Sequence, residues 1–305
     1  MRLSLENLQT GVRHPRLVAR EFNKVTSRVR RSTGVGGRAI DFFEADWDNL
    51  VLLDACRYDY FAAQADLPGR LESRRSNASA TVEYLRQNVD GRDLTDVVYV
   101  TANPQLQRNL DRGAIDVRLH DLINVWREDG WDDERRTVRP ETMAEYTRRA
   151  VEEHPDKRIV AHFIQPHSPY IGPTGRRHEK FDALNFFHKL VTGEISVDPR
   201  ILQRAYAENL DIALDVVGEL LADLPGRTVV SADHGEMLGD RGRPIPIREY
   251  GHPPYLHYEK LIEIPWLVHE NGARKEIRAG AAVRQDEGAP EDDVVEDRLK
   301  HLGYV

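Results

Sequence analysis

Five short runs of Val, Ile and Leu punctuate an otherwise polar chain: "NLVLLDA" (49–55), "DVVYVTANP" (96–104), "RIVAHFIQP" (158–166), "RTVVSADHG" (227–235) and "EIPWLVHE" (263–270). Their apolar residues are consecutive rather than alternating, the pattern of strands covered on both faces. Between them, residues 141–154 and 199–224 carry apolar positions three and four apart, the period of a helix. Strands alternating with helices predict an α/β protein with a mostly parallel sheet and helices on both faces, a three-layer α/β/α sandwich. Residues 168–190 follow neither period and open on turn residues, so a long loop over the strand ends is expected there. The tail from Gly288 passes from acidic and loop-like to a short amphipathic helix, expected to pack back onto the body. Residues 1–46 read as a polar helical extension and 47–305 as one domain.

Composition narrows the class. Of 305 residues, 40% are hydrophobic and 31% charged, ordinary values for a globular chain. No stretch approaches the roughly 18 apolar residues of a membrane span, so no transmembrane segment is expected. The first twenty residues lack the apolar core of a secretory signal, which predicts a cytoplasmic protein. A formal charge of −8 argues against nucleic acid as a partner, since displacing phosphate counterions needs a basic surface. The Arg-rich segment 26–38 reads as solvated, and its "GVGG" (34–37) does not join a strand to a helix, so it is not a phosphate loop. The single cysteine, Cys56, rules out an internal disulfide and a thiolate cluster, which leaves oxygen and imidazole ligands suited to hard or borderline metals. Oligomeric state leaves no signal.

Polar groups recur where the apolar runs end: Asp54, Asn103, His167, and the pair Asp233 and His234. In open α/β sheets that edge is where ligands bind. Taken alone, Asp54 could equally cap a following helix.

Read together, "DACRYD", "SADHGE", "HFIQPHSPY" and "YGHPPYLHYEKLIEIPWLV" occur in the order of motifs in the alkaline phosphatase superfamily, and the chain from Asn49 to the terminal "LGYV" most resembles its sulfatase-like branch. The resemblance implies an alkaline-phosphatase-like catalytic domain over 47–305 and one divalent metal ion (Mg, Mn, Ca or Zn) held by Asp54, Asp233, His234 and the nucleophile itself. That nucleophile opens the helix after the first crossover. In "SRRSNASATVEYLRQNV" (73–89) the matching residue is Thr81, with Ser79 as the alternative; either could instead cap that helix.

Two departures from the branch bear on the reaction. There is no Cys-x-Pro-Ser-Arg motif to convert to formylglycine, and Cys56 reads as a packing residue, so a hydroxyl nucleophile and phosphate mono- or diesters are expected, by hydrolysis or transfer. Where two-metal members carry Asp-x-x-x-His, this chain has Gln165, Pro166 and His167, without a carboxylate, which favours a single metal. His167 and His252 are then donors to the substrate's nonbridging oxygens or its leaving group, or else second-metal ligands with His257. Arg57 and Glu236 are expected to hold the ligands, Arg57 by gripping Asp54 or Asp233. The substrate would be a small or a glycan- or lipid-linked anionic ester. A sulfuric-ester hydrolase without formylglycine, and a metal-binding member without turnover, are the alternatives.

Overall fold

The computed structural model describes residues 15–32, 38–282 and 292–304. The "GVGG" stretch at 34–37 and the acidic start of the tail lie outside the described residues. In chain order the elements are α1 (Pro15–Ser32), β1 (Asn49–Leu53), α2 (Tyr58–Gln64), β2 (Arg70–Arg75), α3 (Thr81–Asn88), β3 (Asp93–Thr101), α4 (Gln105–Asp111), β4 (Arg118–Asn124), α5 (Pro140–Glu153), β5 (Arg158–Phe163), α6 (Pro173–Arg177), α7 (Phe186–Thr192), α8 (Pro199–Leu221), β6 (Gly226–Ser231), β7 (Met237–Arg241), β8 (Arg248–Gly251), α9 (Glu259–Ile262), β9 (Glu263–Asn271) and α10 (Asp292–His301).

Seven strands form one sheet in the order β2-β9-β6-β1-β5-β3-β4, layered with helices in a three-layer α/β/α architecture. The five from β6 to β4 pair in parallel, while β9 runs antiparallel to both β6 and β2. All five apolar runs are strands of this sheet. The two strands the pattern misses, "RLESRR" and "RLHDLIN", are its edges, where one side faces water and polar residues are tolerated. A separate hairpin pairs β7 with β8.

The expected loop over 168–190 is instead broken into α6, a 3₁₀ turn at 179–182 and the start of α7. Pro173 at a helix start and the Phe181, Phe186 and Phe187 rings packing on one another supply order that no period announces. The tail helix α10 does pack back, burying Val295 and Leu299, with Leu302 just after it also buried.

Chain order reverses about β1, with β5 on one side of it and β6 on the other. The loops leaving these neighbouring strands therefore open one crevice at their carboxyl ends.

Candidate active site

Asp54 follows β1 directly, and the chain then turns through Ala55 at a φ of 61°. A left-handed alanine is strained, a feature that gathers at functional sites. It aims the Ala55 amide at Asp233 Oδ1 (3.1 Å), while Tyr206 braces the turn by donating to Ala55 O (2.7 Å) and accepting from the Arg57 amide (2.9 Å). Since α2 starts only at Tyr58, with Arg57 before it, Asp54 does not cap that helix.

After β6, Asp233 and His234 enter the same crevice. Asp54, Asp233 and His234 are all fully buried. His234 Nε2 lies 3.2 Å from Asp233 Oδ2, 3.7 Å from Asp54 Oδ1 and 3.2 Å from Thr81 Oγ1. Thr81 is the first residue of α3, and its hydroxyl also donates to Asp54 Oδ2 at 3.4 Å. These four residues thus share one buried space, although 180 positions separate the first from the last.

Thr81 is free for this role because the helix start is secured elsewhere. Glu83 accepts from both the amide and the hydroxyl of Ser79 (3.0 Å each), from the Tyr255 amide (3.2 Å), and meets His257 Nε2 at 2.8 Å. The Ser79 hydroxyl further accepts from the Leu256 amide (3.2 Å), so it is committed to structure. Burial by itself would raise the Glu83 pKa; the hydrogen bond and charge of His257, with the two amides, outweigh it and hold the carboxyl at about 2. A depressed folded pKa gives stability that is complete above the ordinary value of 4.5 and lost as pH falls through about 2. Denaturation midpoints should therefore fall between these pH values in the wild type and fall less in Glu83→Gln.

His257 accordingly belongs to this brace and not to the crevice, a correction to its expected role at the substrate or a second metal. Arg57 also differs from expectation. Its guanidinium is taken by Asp59 (2.7 Å) and Asp240 (2.9 Å) and donates to Glu236 O (3.3 Å), so it ties α2 to β7 without touching Asp54 or Asp233. Asp59, two residues on, is simply nearer.

A second cluster adjoins the first. His167, Glu236 and His252 offer ligand atoms within 4.8 Å of one another, and the His252 ring centre is 4.6 Å from that of His234. His252 Nδ1 lies 3.2 Å from Glu236 Oε1, and His167 Nδ1 donates to Ser168 O at 2.5 Å. The carboxylate missing after β5 is thus supplied by Glu236, which stands two residues after His234. Burial pushes the Glu236 carboxyl up to about 8, beyond what the charges of His167 and His234 pull back. Burial likewise, aided by the charge of His234, lowers His252 to about 3. In the metal-free chain Glu236 is thus biased toward its protonated form and His252 toward the neutral imidazole.

Two further residues escape sequence reasoning. His162, midway along β5, points its Nε2 to 3.8 Å from Asp233 Oδ2, its Nδ1 meeting Tyr99 OH at 2.9 Å. Nothing marks it in sequence, because it reads as one interior position of an apolar run. Tyr304 arrives from the tail: its hydroxyl donates to Asp54 Oδ2 (2.6 Å), where Asn103 Nδ2 also donates (2.8 Å), and its ring stacks on His167 at 5.1 Å. With Oδ2 so held, Oδ1 of Asp54 faces the crevice. Tyr304→Phe should free that carboxylate and weaken divalent-metal affinity by about 10- to 100-fold, as measured by calorimetric titration.

The donor set can be tested for a cation. Asp54 Oδ1 and His162 Nε2 are buried without a hydrogen-bond partner, Asp233 Oδ2 is buried with His234 Nε2 3.2 Å away, and Asp54, His162 and Asp233 place ligand atoms within 4.8 Å of one another. Unpaired buried carboxylate oxygens are costly unless a cation or proton meets them. In the metal-free chain that cation is His234: burial opposes its protonation, but the charges of Asp233 and Asp54 and the hydrogen bond to Asp233 push it up to about 9. Two carboxylates, imidazole and a hydroxyl fit a divalent ion.

No family model matches the chain, and no curated protein matches it. Among solved structures it is similar to the C-terminal periplasmic domain of EcEptC from Escherichia coli in complex with Zn (TM-score 0.49, 13% identity, 76% of this chain and 75% of that one). It is also similar to that of the phosphoethanolamine transferase EptC from Campylobacter jejuni (0.46, 15%, 76% and 82%), and to the phosphonate monoester hydrolase SpPMH from Silicibacter pomeroyi (0.40, 13%, 83% and 72%). Likenesses this loose assign no activity, and the chemistry rests on the side chains above. The cytoplasmic expectation is withdrawn, because similar structures are periplasmic domains. No described helix is long and apolar enough to cross a membrane.

Proposed function

We propose that this protein is a metal-dependent phosphoesterase or phosphotransferase, with residues 47–305 as its catalytic domain and Thr81 as a nucleophile that carries the phosphoryl group covalently. The observation that carries the reading is the convergence of two buried carboxylate oxygens, Asp54 Oδ1 and Asp233 Oδ2, on His234 Nε2 beside the Thr81 hydroxyl. Asp54, Asp233, His234 and Thr81 would hold one divalent ion, which when bound favours the threonine alkoxide and offsets charge on the ester's nonbridging oxygens.

In the first half-reaction Thr81 Oγ1, as the alkoxide that a bound ion would favour, forms a bond to phosphorus as the bond to the leaving oxygen breaks. The leaving oxygen takes the Nε2 proton of His252 while Nδ1 receives the proton of Glu236, so neither an imidazolate nor a free alkoxide is released. In the second half the relay runs backwards: water or an acceptor alcohol gives its proton to His252 and attacks the phosphothreonine. His167, with Nδ1 spent on Ser168 O, presents Nε2 to the substrate.

The purified protein should be analysed for metal and assayed on aryl phosphate, bis-aryl phosphate and aryl sulfate. Turnover of a phosphate ester with a phosphorylated Thr81 peptide is the expected result. Turnover of sulfate alone would replace the reading with sulfuric-ester hydrolysis, and turnover of none of the three would favour a metal-binding protein without catalysis.

A further inference from the structure

α1 is inverted relative to an ordinary surface helix. Amphipathic helices of globular proteins turn their apolar stripe toward the core. Beside Leu17, which packs on the apolar cluster around Phe186 and Leu190, the face of α1 toward the body is polar. Asn23 is fully buried and its side-chain amide exchanges two hydrogen bonds of 3.0 Å with the backbone of Ile245. Ser27 Oγ accepts from the His257 amide at 2.8 Å, and Arg20 pairs with the buried Glu249 at 2.6 Å and donates to Tyr250 O at 3.2 Å.

The opposite face carries Val18, Phe22 and Val25, spaced four and three apart and each more than half exposed (55%, 53% and 55%). Six large apolar side chains are exposed among the described residues, and four of them lie on this one helix. Its sequence also holds six basic residues against the single acid Glu21, in a chain whose formal charge is −8. Packing against the body explains the polar face and neither of these features.

We propose that α1 is a docking helix that lies in the interface of an anionic lipid bilayer, with Val18, Phe22 and Val25 entering the acyl boundary and the exposed Arg16 and Arg28 meeting lipid phosphates. A long helix with an apolar stripe, low overall hydrophobicity and an excess of Arg and Lys has the makeup of interfacial helices. Charge complementarity selects this occupant: a second copy of an acidic chain would bring the same basic helix against itself, whereas each basic residue near an anionic leaflet strengthens attachment. The assignment uses no residue of the crevice and stands apart from the reaction proposed above.

The test is co-sedimentation of the full chain with vesicles of phosphatidylglycerol and phosphatidylcholine, and with vesicles of phosphatidylcholine alone. Binding to the anionic vesicles is expected, weakened by added salt, and reduced at least about tenfold in the double variant F22D/V25D through lost apolar burial. Phe22→Trp should shift its emission to the blue when anionic vesicles are added. Circular dichroism checks that the variants remain folded, since both positions are exposed. A wild-type protein that ignores anionic vesicles, or a double variant that binds them as well as wild type, overturns the proposal. So does a vesicle-free dimer that F22D/V25D dissolves, which would give the face to a second copy.

Discussion

Thr81→Ala is expected to reduce turnover of a phosphate ester by roughly three to six orders of magnitude, the range seen when a covalent nucleophile is deleted. The substitution removes the oxygen 3.2 Å from His234 Nε2 and 3.4 Å from Asp54 Oδ2, and little else, because the start of α3 is held by Ser79 and Glu83 rather than by Thr81. Thermal stability should therefore change little. Thr81→Ser, which keeps the hydroxyl, should recover part of the rate and retain a phosphorylated residue in the peptide map. Ser79→Ala makes the complementary control: it should cost stability by disturbing Glu83 and the 253–256 turn, with kcat per folded molecule nearly preserved. Near-normal rates in Thr81→Ala would remove covalent catalysis at this residue.

Asp233→Asn should sharply weaken metal binding, and have an opposite effect on the metal-free protein. Residues that merely orient ligands alter affinity by about 10- to 100-fold, so loss of a charged ligand should cost at least about 100-fold. Without metal, Asp233 and Asp54 are like charges in a fully buried site, offset by one protonated His234. The variant should be as stable as wild type after chelation, or more so, while losing the stabilisation that added metal confers. That gain is about 2.7 kcal/mol at a free metal concentration of 100 times Kd. Melting curves with and without chelator separate the two effects, and an Asp233→Asn protein stabilised by metal as strongly as wild type would rule Asp233 out as a ligand.

The same pair sets a pH dependence. His234 is raised from 6.5 to about 9 in the metal-free fold, so its contribution to stability is complete below about 6.5 and lost as pH rises through about 9. A metal must displace that proton, and apparent affinity should strengthen as pH climbs toward 9 before levelling off. A titration in which affinity is flat across this window would show that His234 does not ligate.

How far the chain could be read before folding follows from what local pattern reports. The consecutive apolar residues of 50–53, 159–161 and 229–230 marked the three central strands because both of their faces are covered, and the polar residue that ends each such run could be seen from the run itself. Asp54, Asp233 and His234 were legible for that reason. His162 was not, since it occupies an interior strand position where its neighbours are Val, Ala and Phe, and only the sheet register sets it across from Leu52 and Thr101. Arg57 was assigned the wrong carboxylates because proximity in sequence to Asp54 says nothing about Asp240, which lies far along the chain in a hairpin the periodicity did not reveal.

The sequence by itself determined the layered α/β architecture and the strand ends that carry acids and imidazoles, because each depends on residue type and on period within a short window. The tertiary structure alone decided that Glu236 supplies the carboxylate beside His167 and His252, that Tyr304 reaches Asp54 from the tail, and that α1 turns its apolar face outward. Those facts depend on which surfaces meet across long separations, and a contact between distant residues leaves no period in the chain to be read.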